Sequence, residues 1–248
     1  MNLIKTLHDI SFLIANPSLL KWIRHGLQIQ PNIALRSKWL QTMKFDTIID
    51  IGANVGQAAI NLCSLFENTT VHSFEPIPSC FEQLKKVAKV YPNLKVYNFG
   101  LGNETVSLPF HQNSYTPSSS LLVMKPDHIK SYPKSAITND ITIQVKRLDD
   151  IASELKIGKS VLVKIDVQGF ESQVIEGGIR TISQASVVIV ETSIESMYEG
   201  DSSFETIFIM MRDLGFAYHG SFEQLIDSNT NRVLQQDAIF IKKQLGDD

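Results

Sequence analysis

The chain has 248 residues, enough for one large α/β domain with an appendage, and 43% of them are hydrophobic, enough to build a sizeable core. Its 23 Lys and Arg against 26 Asp and Glu leave a net charge of −3, so no bulk positive field is available to hold a nucleic acid or an anionic bilayer. No apolar run approaches the roughly 20 residues that cross a bilayer, and the first residues lack an apolar stretch ending in a small-residue cleavage site; a cytoplasmic protein without a transmembrane segment is expected.

Residues 1–44 read as three short helices, with Leu3, Leu7, Ile10 and Ile14 on one face and restarts at Asn16-Pro17 and Gln30-Pro31. The polar face is not basic, so this appendage is expected to pack on the main domain or on a second copy of the chain, giving a homo-oligomer. The main domain, 45–248, alternates short β-branched runs with amphipathic stretches, the pattern of βα units feeding a parallel sheet covered on both faces. In chain order the pattern predicts strand 46–51, helix 56–66, strand 70–75, helix 78–91 and strand 94–99. An insert over 103–147 follows, with small strands at 105–110, 119–124 and 141–146. Then come helix 148–155, strand 161–166, helix 171–183, strand 187–191, helix 204–214 and strand 238–242. Cys63 and Cys80, one on each of two predicted helices, form no CxxC pair and have no clustered histidine, so they read as small apolar residues.

The first strand runs into Asp50-Ile51-Gly52-Ala53-Asn54-Val55-Gly56, a glycine turn that opens a helix. A dinucleotide fingerprint would need glycines at 52, 54 and 57, where the chain has Gly52, Asn54 and Gln57, so a pyrophosphate is disfavoured. Glu75 ends the next strand 23 residues after Gly52, where a carboxylate can accept both hydroxyls of a ribose. With Asp50 and the turn amides at the amino acid end, these features describe a nucleoside-containing, partly cationic ligand, and S-adenosylmethionine fits. The third strand ends at Asn98, and Leu101 in the turn after it offers an apolar face to an adenine ring; Asn98 reads equally well as an ordinary polar strand end.

A second strand-turn-helix, Lys164-Ile165-Asp166-Val167-Gln168-Gly169-Phe170-Glu171, places Asp166 at a carboxyl strand end, and Glu191 ends the strand after it. If those strands are neighbours, the two carboxylates can share a proton, hold a divalent metal or take a proton from a substrate hydroxyl. Glu171, which opens the next helix, is a substrate-side candidate, although a carboxylate is also what the first turn of any helix favours. His111 in the insert is an alternative base, and Tyr115 is a candidate to pack on a sugar face. Hydrolase, P-loop and zinc-protease signatures are missing from the sequence.

Residues 45–55 (FDTIIDIGANV), Phe74-Glu75-Pro76, residues 161–176 (VLVKIDVQGFESQVIE), Gly177 and Glu191 together resemble the FkbM-type methyltransferases over about 45–242. The resemblance implies a Rossmann-like seven-stranded sheet, mostly parallel with the last strand reversed. It also implies S-adenosylmethionine as cofactor and methylation of a hydroxyl on a sugar, glycan or related natural product. The family's cofactor positions fall on Asp50, Gly52, Asn54, Gly56 and Glu75, with Ala53 and Pro76 beside them, and its fourth-strand signature falls on Asp166, Gly169 and Glu171. Gln168 stands where many members carry Glu, so an orienting role beside the substrate is expected of it rather than that of a base.

The expected reaction is in-line methyl transfer to oxygen, with Asp166, then Glu191, then His111 as candidates to accept the hydroxyl proton, and with no metal required. Were a metal present, Asp166 and Glu191 would be its ligands. The acceptor pocket is expected from the 103–147 insert. A cofactor-binding or adaptor protein without turnover, and a nicotinamide oxidoreductase, are the alternative readings.

Overall fold

The computed structural model describes residues 38–113, 138–196, 198, 200–227 and 230–243. Of the expected N-terminal helices, only the end of the third falls there, as α1 (Lys38–Thr42). The chain continues through β1 (Thr47–Ile51), α2 (Gln57–Leu65), β2 (Thr70–Phe74), α3 (Pro78–Ala88), β3 (Leu94–Tyr97), β4 (Gly100–Leu101), β5 (Val106–Asn113) and β6 (Thr138–Lys146). It ends with α4 (Leu148–Leu155), β7 (Val161–Ile165), α5 (Glu171–Gly177), α6 (Ile179–Ile182), β8 (Val187–Ser193), α7 (Phe204–Asp213), β9 (Phe216–Ile226) and β10 (Val233–Lys242).

Seven strands form one sheet in the order β3-β2-β1-β7-β8-β10-β9. Only β10 runs against its neighbours, pairing antiparallel with both β8 and β9. This is the expected mostly parallel sheet with a reversed final strand. Every residue of β1 and β7 is buried, because helices cover both faces. Ile49, Ile51, Val163 and Ile165 meet Leu148, Val174, Ile182 and Ile207 of α4–α7 on one face. Ile48, Leu162 and Val187 meet Leu62 of α2, Leu84 of α3 and Leu40 of α1 on the other, the two sets alternating along the strands as the pleat requires. Among the described residues no helix is long and apolar enough to cross a membrane.

Three expectations change. The helix expected over 171–183 divides at Gly178 into α5 and α6. Two adjacent glycines weaken a helix there, and Gly177 has to remain bare, since a Cβ on it would sit 1.8 Å from the Gly102 carbonyl oxygen. The strand expected at 238–242 begins five residues earlier, at Val233, and pairs with β9, which the sequence pattern did not reveal. In β9 the exposed Tyr218 and His219, Gly220 and several register shifts blur the alternation that marks a strand. Within the insert, β5 and β6 join β4 in a separate three-stranded sheet; the strand expected at 119–124 lies outside the described residues.

Candidate active site

The strand order reverses between β1 and β7, and there the carboxyl ends of the parallel strands surround a cavity of about 400 Å³, the usual ligand position in such sheets. The turn after β1 forms one wall. Gly52 has φ +83, and a Cβ on it would lie 1.8 Å from the Asp166 carbonyl oxygen, so glycine is required by the close approach of the β7 chain end as well as by the left-handed backbone.

The amides of this turn are all engaged within the chain. Gly52 and Ala53 donate to the Phe74 carbonyl, Gly56 to that of Ala53, Val55 to Asn54 Oδ1 and Asn54 to Glu75 Oε2. Glu75 Oε1 accepts from the Ile77 amide, so the carboxylate clamps both turns with two lone-pair positions left over. Burial raises the Glu75 carboxyl to about 7, with Asp50 and Asp166 adding to the shift and the two amide bonds opposing it.

Gly52, Ala53, Asn54, Glu75, Pro76 and Leu101 line the cavity. Asp50 does not: it is fully buried behind the wall, with Oδ2 accepting from Ser73 and Oδ1 without a partner among the described residues. Gly56 faces Leu84 and Val87 instead. Asn98 donates its amide to the Glu75 and Pro76 carbonyls, fastening the segment that carries Glu75.

On the far side, Asp166 and Glu191 converge on one residue. Gln168, held at φ 56, donates Nε2 to Asp166 Oδ1 at 3.0 Å and to Glu191 Oε2 at 2.6 Å, and its Oε1 accepts from the Tyr198 hydroxyl at 2.8 Å. Glu171 does not line the cavity; its Oε1 accepts from the Val167 and Gly169 amides and pins the turn that presents Gln168.

The other Asp166 oxygen accepts from Lys164 Nζ at 2.9 Å. Burial would raise Asp166, but the Lys164 ammonium and the bonds from Lys164 and Gln168 outweigh it and hold the carboxyl below its ordinary value. Glu191 goes the other way. Withdrawal from water, then Asp166, Glu171 and Asp237, push it well above the ordinary carboxyl range, and Oε1 has no protein donor among the described residues.

Lys164 and Asp237 emerge only from the structure. Lys164, buried within β7, faces Asp166, Asp50 and Asp237, and these carboxylates overcome the effect of burial and raise its ammonium above the usual value. A lysine inside VLVKI has to find such partners, and that was the legible signal. Asp237, raised to about 7 mainly by burial, lies in the part of β10, 233–237, that precedes the strand expected at 238–242.

The insert meets the cavity on the Glu75 side. Phe110 and Ile143 line it while packing on Ile77 and Cys80. The His111 side chain and all of Tyr115 lie outside the described residues.

Five carboxyl groups, those of Glu75, Asp166, Glu191, Glu223 and Asp237, therefore line the cavity against one ammonium, Lys164. Opposite them lies an apolar end of Ile77, Leu101, Phe110 and Ile143. This donor set fits a ligand that joins a net positive charge to a ribose and a flat apolar ring, as S-adenosylmethionine does. Among the described residues no group of three His, Cys, Asp or Glu is arranged to hold a metal ion, and the Gln168 amide occupies the bridging position between Asp166 and Glu191.

The family described as Methyltransferase FkbM domain matches residues 50–218. The chain is 26% identical over 171 residues to the 2-O-methyltransferase NoeI of Sinorhizobium fredii, covering 66% of this chain and 70% of that one. It is 22% identical over 218 residues to the 31-O-demethyl-FK506 methyltransferase FkbM of Streptomyces tacrolimicus, covering 79% and 76%. The crystal structure of a Methyltransferase FkbM from Methylobacillus flagellatus shares the fold, with a TM-score of 0.54 at 14% identity. The match covers 88% of this chain but about half, 49%, of that one.

Proposed function

The chain belongs to the FkbM methyltransferase family, and from that membership we propose that it transfers the methyl group of S-adenosylmethionine to a hydroxyl of a sugar, glycan or related natural product. The observation that carries the cofactor is the excess of carboxyl groups over ammonium in a cavity that also holds the Glu75 clamp and an apolar end. The names of the relatives, a 2-O-methyltransferase and a 31-O-demethyl-FK506 methyltransferase, support oxygen as the acceptor atom. Family membership replaces the nicotinamide reading.

When bound, S-adenosylmethionine supplies an electrophilic methyl group on a positively charged sulfur. Glu75 would accept the ribose hydroxyls through its two unused lone pairs, and Leu101, Phe110 and Ile143 would cover the adenine. A sugar hydroxyl is a weak nucleophile and sheds its proton near the transition state. Glu191 suits that proton better than Asp166, because both Asp166 oxygens are already engaged and its proton affinity is depressed, whereas Glu191 keeps a free Oε1 and a raised affinity. Gln168 is then a positioning residue, holding Glu191 from one side and Asp166 from the other. Lys164 neutralises Asp166, so that a proton arriving on Glu191 is not drawn away.

The test pairs calorimetric titration with S-adenosylhomocysteine and transfer of tritiated methyl from S-adenosylmethionine to glycans and metabolites, with the product bond located by mass spectrometry. Affinity together with a methyl ether product is the expected result. Absence of S-adenosylhomocysteine binding would overturn the reading.

A further inference from the structure

The cavity wall farthest from Glu75 is built by neither the glycine turn nor the insert. It comes from Glu223, Gln224 and Leu225 at the end of β9 and from Gln235, Gln236 and Asp237 at the start of β10. In the regular β8–β10 ladder Gln235 stands opposite Ser193 and Asp237 opposite Glu191, so Gln235 projects from the same face of β10 as Asp237, on the side of the Glu191 carboxylate.

Gln235 is 7% exposed, and its side-chain amide has no hydrogen-bond partner among the described residues while staying accessible from the cavity; Gln236, opposite Thr192, projects from the other face of β10. An amide without a protein partner that reaches a cavity offers a donor and an acceptor to a ligand with donors and acceptors of its own. Leu225, the cross-strand partner of Gln235, gives that ligand an apolar surface beside the amide.

We infer that this hairpin is the acceptor subsite and that it takes an uncharged, hydroxyl-rich ring, a neutral sugar unit, in preference to a uronate or a phosphorylated sugar. The inference rests on the methyltransferase reading and adds the class of acceptor. Gln235 offers a donor and an acceptor, which match a hydroxyl but give no charge to an anion. The ionisable groups around the subsite, Glu191, Glu223 and Asp237, are all carboxyl groups. Lys164 is already committed to Asp166. Arg232, the arginine of the hairpin, pairs with Glu195 and does not line the cavity. An anionic acceptor would enter against this field with nothing to receive it.

The experiment offers a panel of neutral methyl glycosides and oligosaccharides, with their uronate and 6-phosphate counterparts, together with tritiated S-adenosylmethionine. S-adenosylhomocysteine affinity is measured on the same preparations. Methyl transfer to a neutral member is expected, with kcat/KM at least about tenfold lower for its acidic counterparts. Gln235→Leu should raise the acceptor KM about tenfold, the loss of a hydrogen bond, and leave S-adenosylhomocysteine affinity within twofold. Glu223→Lys, at an exposed position, should raise the rate with the uronate. Preference for a uronate or phosphate, refusal of every neutral member by protein that binds S-adenosylhomocysteine, or an unchanged KM in Gln235→Leu would overturn the inference. Failure of the wild type to bind S-adenosylhomocysteine would instead strike the methyltransferase reading beneath it.

Discussion

Asp237 stands directly opposite Glu191 in the antiparallel ladder between β8 and β10. Like charges in that position destabilise a sheet by roughly 0.2–1 kcal/mol, and here each carboxyl raises the proton affinity of its surroundings while Lys164 offsets part of the repulsion. Asp237→Asn should relieve the conflict. At pH 8 the melting temperature of the ligand-free variant is expected to rise by a few degrees, and the pH–rate profile to shift to lower pH as Glu191 loses its neighbour. A lower melting temperature at pH 8 would mean that Asp237 serves Lys164 more than it opposes Glu191.

Glu191→Gln removes the proposed proton acceptor while keeping its shape. Turnover should fall by about 10²–10⁴, with S-adenosylhomocysteine affinity nearly unchanged. Asp166→Asn should act differently, because it deprives the buried Lys164 of its closest counter-charge; breaking such pairs costs roughly 3–5 kcal/mol. Melting curves should therefore separate the two variants before any assay does. Equal turnover losses at equal stability would return Asp166 to the role of base.

Glu75→Ala is expected to weaken S-adenosylhomocysteine binding about tenfold to a hundredfold, since hydrogen bonds to a charged group are worth about 1.5–3 kcal/mol. The variant also releases the Asn54 and Ile77 amides that Glu75 holds, so hydrogen exchange at those two positions should quicken. Slowed or unchanged exchange would detach the clamp from the binding site.

Stability should depend on pH in a direction opposite to that of a protein rich in surface ion pairs. Glu75 and Glu171 rise from 4.5 to about 7, Asp237 from 3.8 to about 7, and Glu191 rises as well. Each binds its proton more tightly in the folded state, so the stability it contributes is present at low pH and is lost as pH rises through the folded values. His72, lowered to about 4 chiefly by burial, works in reverse and costs stability only as pH falls from 6.5 toward 4. Asp166 and Asp149, both lowered, matter only below about 3.8. The ligand-free protein should therefore melt at lower temperature at pH 8 than at pH 6. Over the same interval the preference for S-adenosylmethionine over the uncharged S-adenosylhomocysteine should grow, as calorimetry at the two pH values would register.

Much of this arrangement was legible in the sequence because buried strands that end in acidic residues leave few other readings. The runs VLVKID and VVIVE put Asp166 and Glu191 at strand ends that are neighbours if the strands are adjacent, and the structure pairs those strands and brings both carboxylates onto Gln168. Asp50 was legible as an acidic strand residue but not as one facing away from the cavity, since side-chain direction depends on which face of β1 each residue takes. The β9–β10 wall was hidden because β9 is a bulged edge strand whose polar residues break the two-residue period. Lys164 was in plain view, yet its role depends on Asp50 and Asp237, strands away in sequence and adjacent only once the sheet is assembled.

The reversal of β10 has a consequence for how acceptor preference can diversify. A parallel strand would bring its end to the reaction edge and pass the chain into the next helix; an antiparallel one brings its beginning, so that β9, the turn and the first residues of β10 arrive as one uninterrupted stretch. Outside that stretch lie the glycine turn, Glu75, Gln168 and Glu191. On the acceptor role inferred for it, the hairpin tip is an exchangeable cassette: a transplant of residues 223–236 between relatives should carry acceptor choice with it while Asp237 and the methyl-donor half stay as they were.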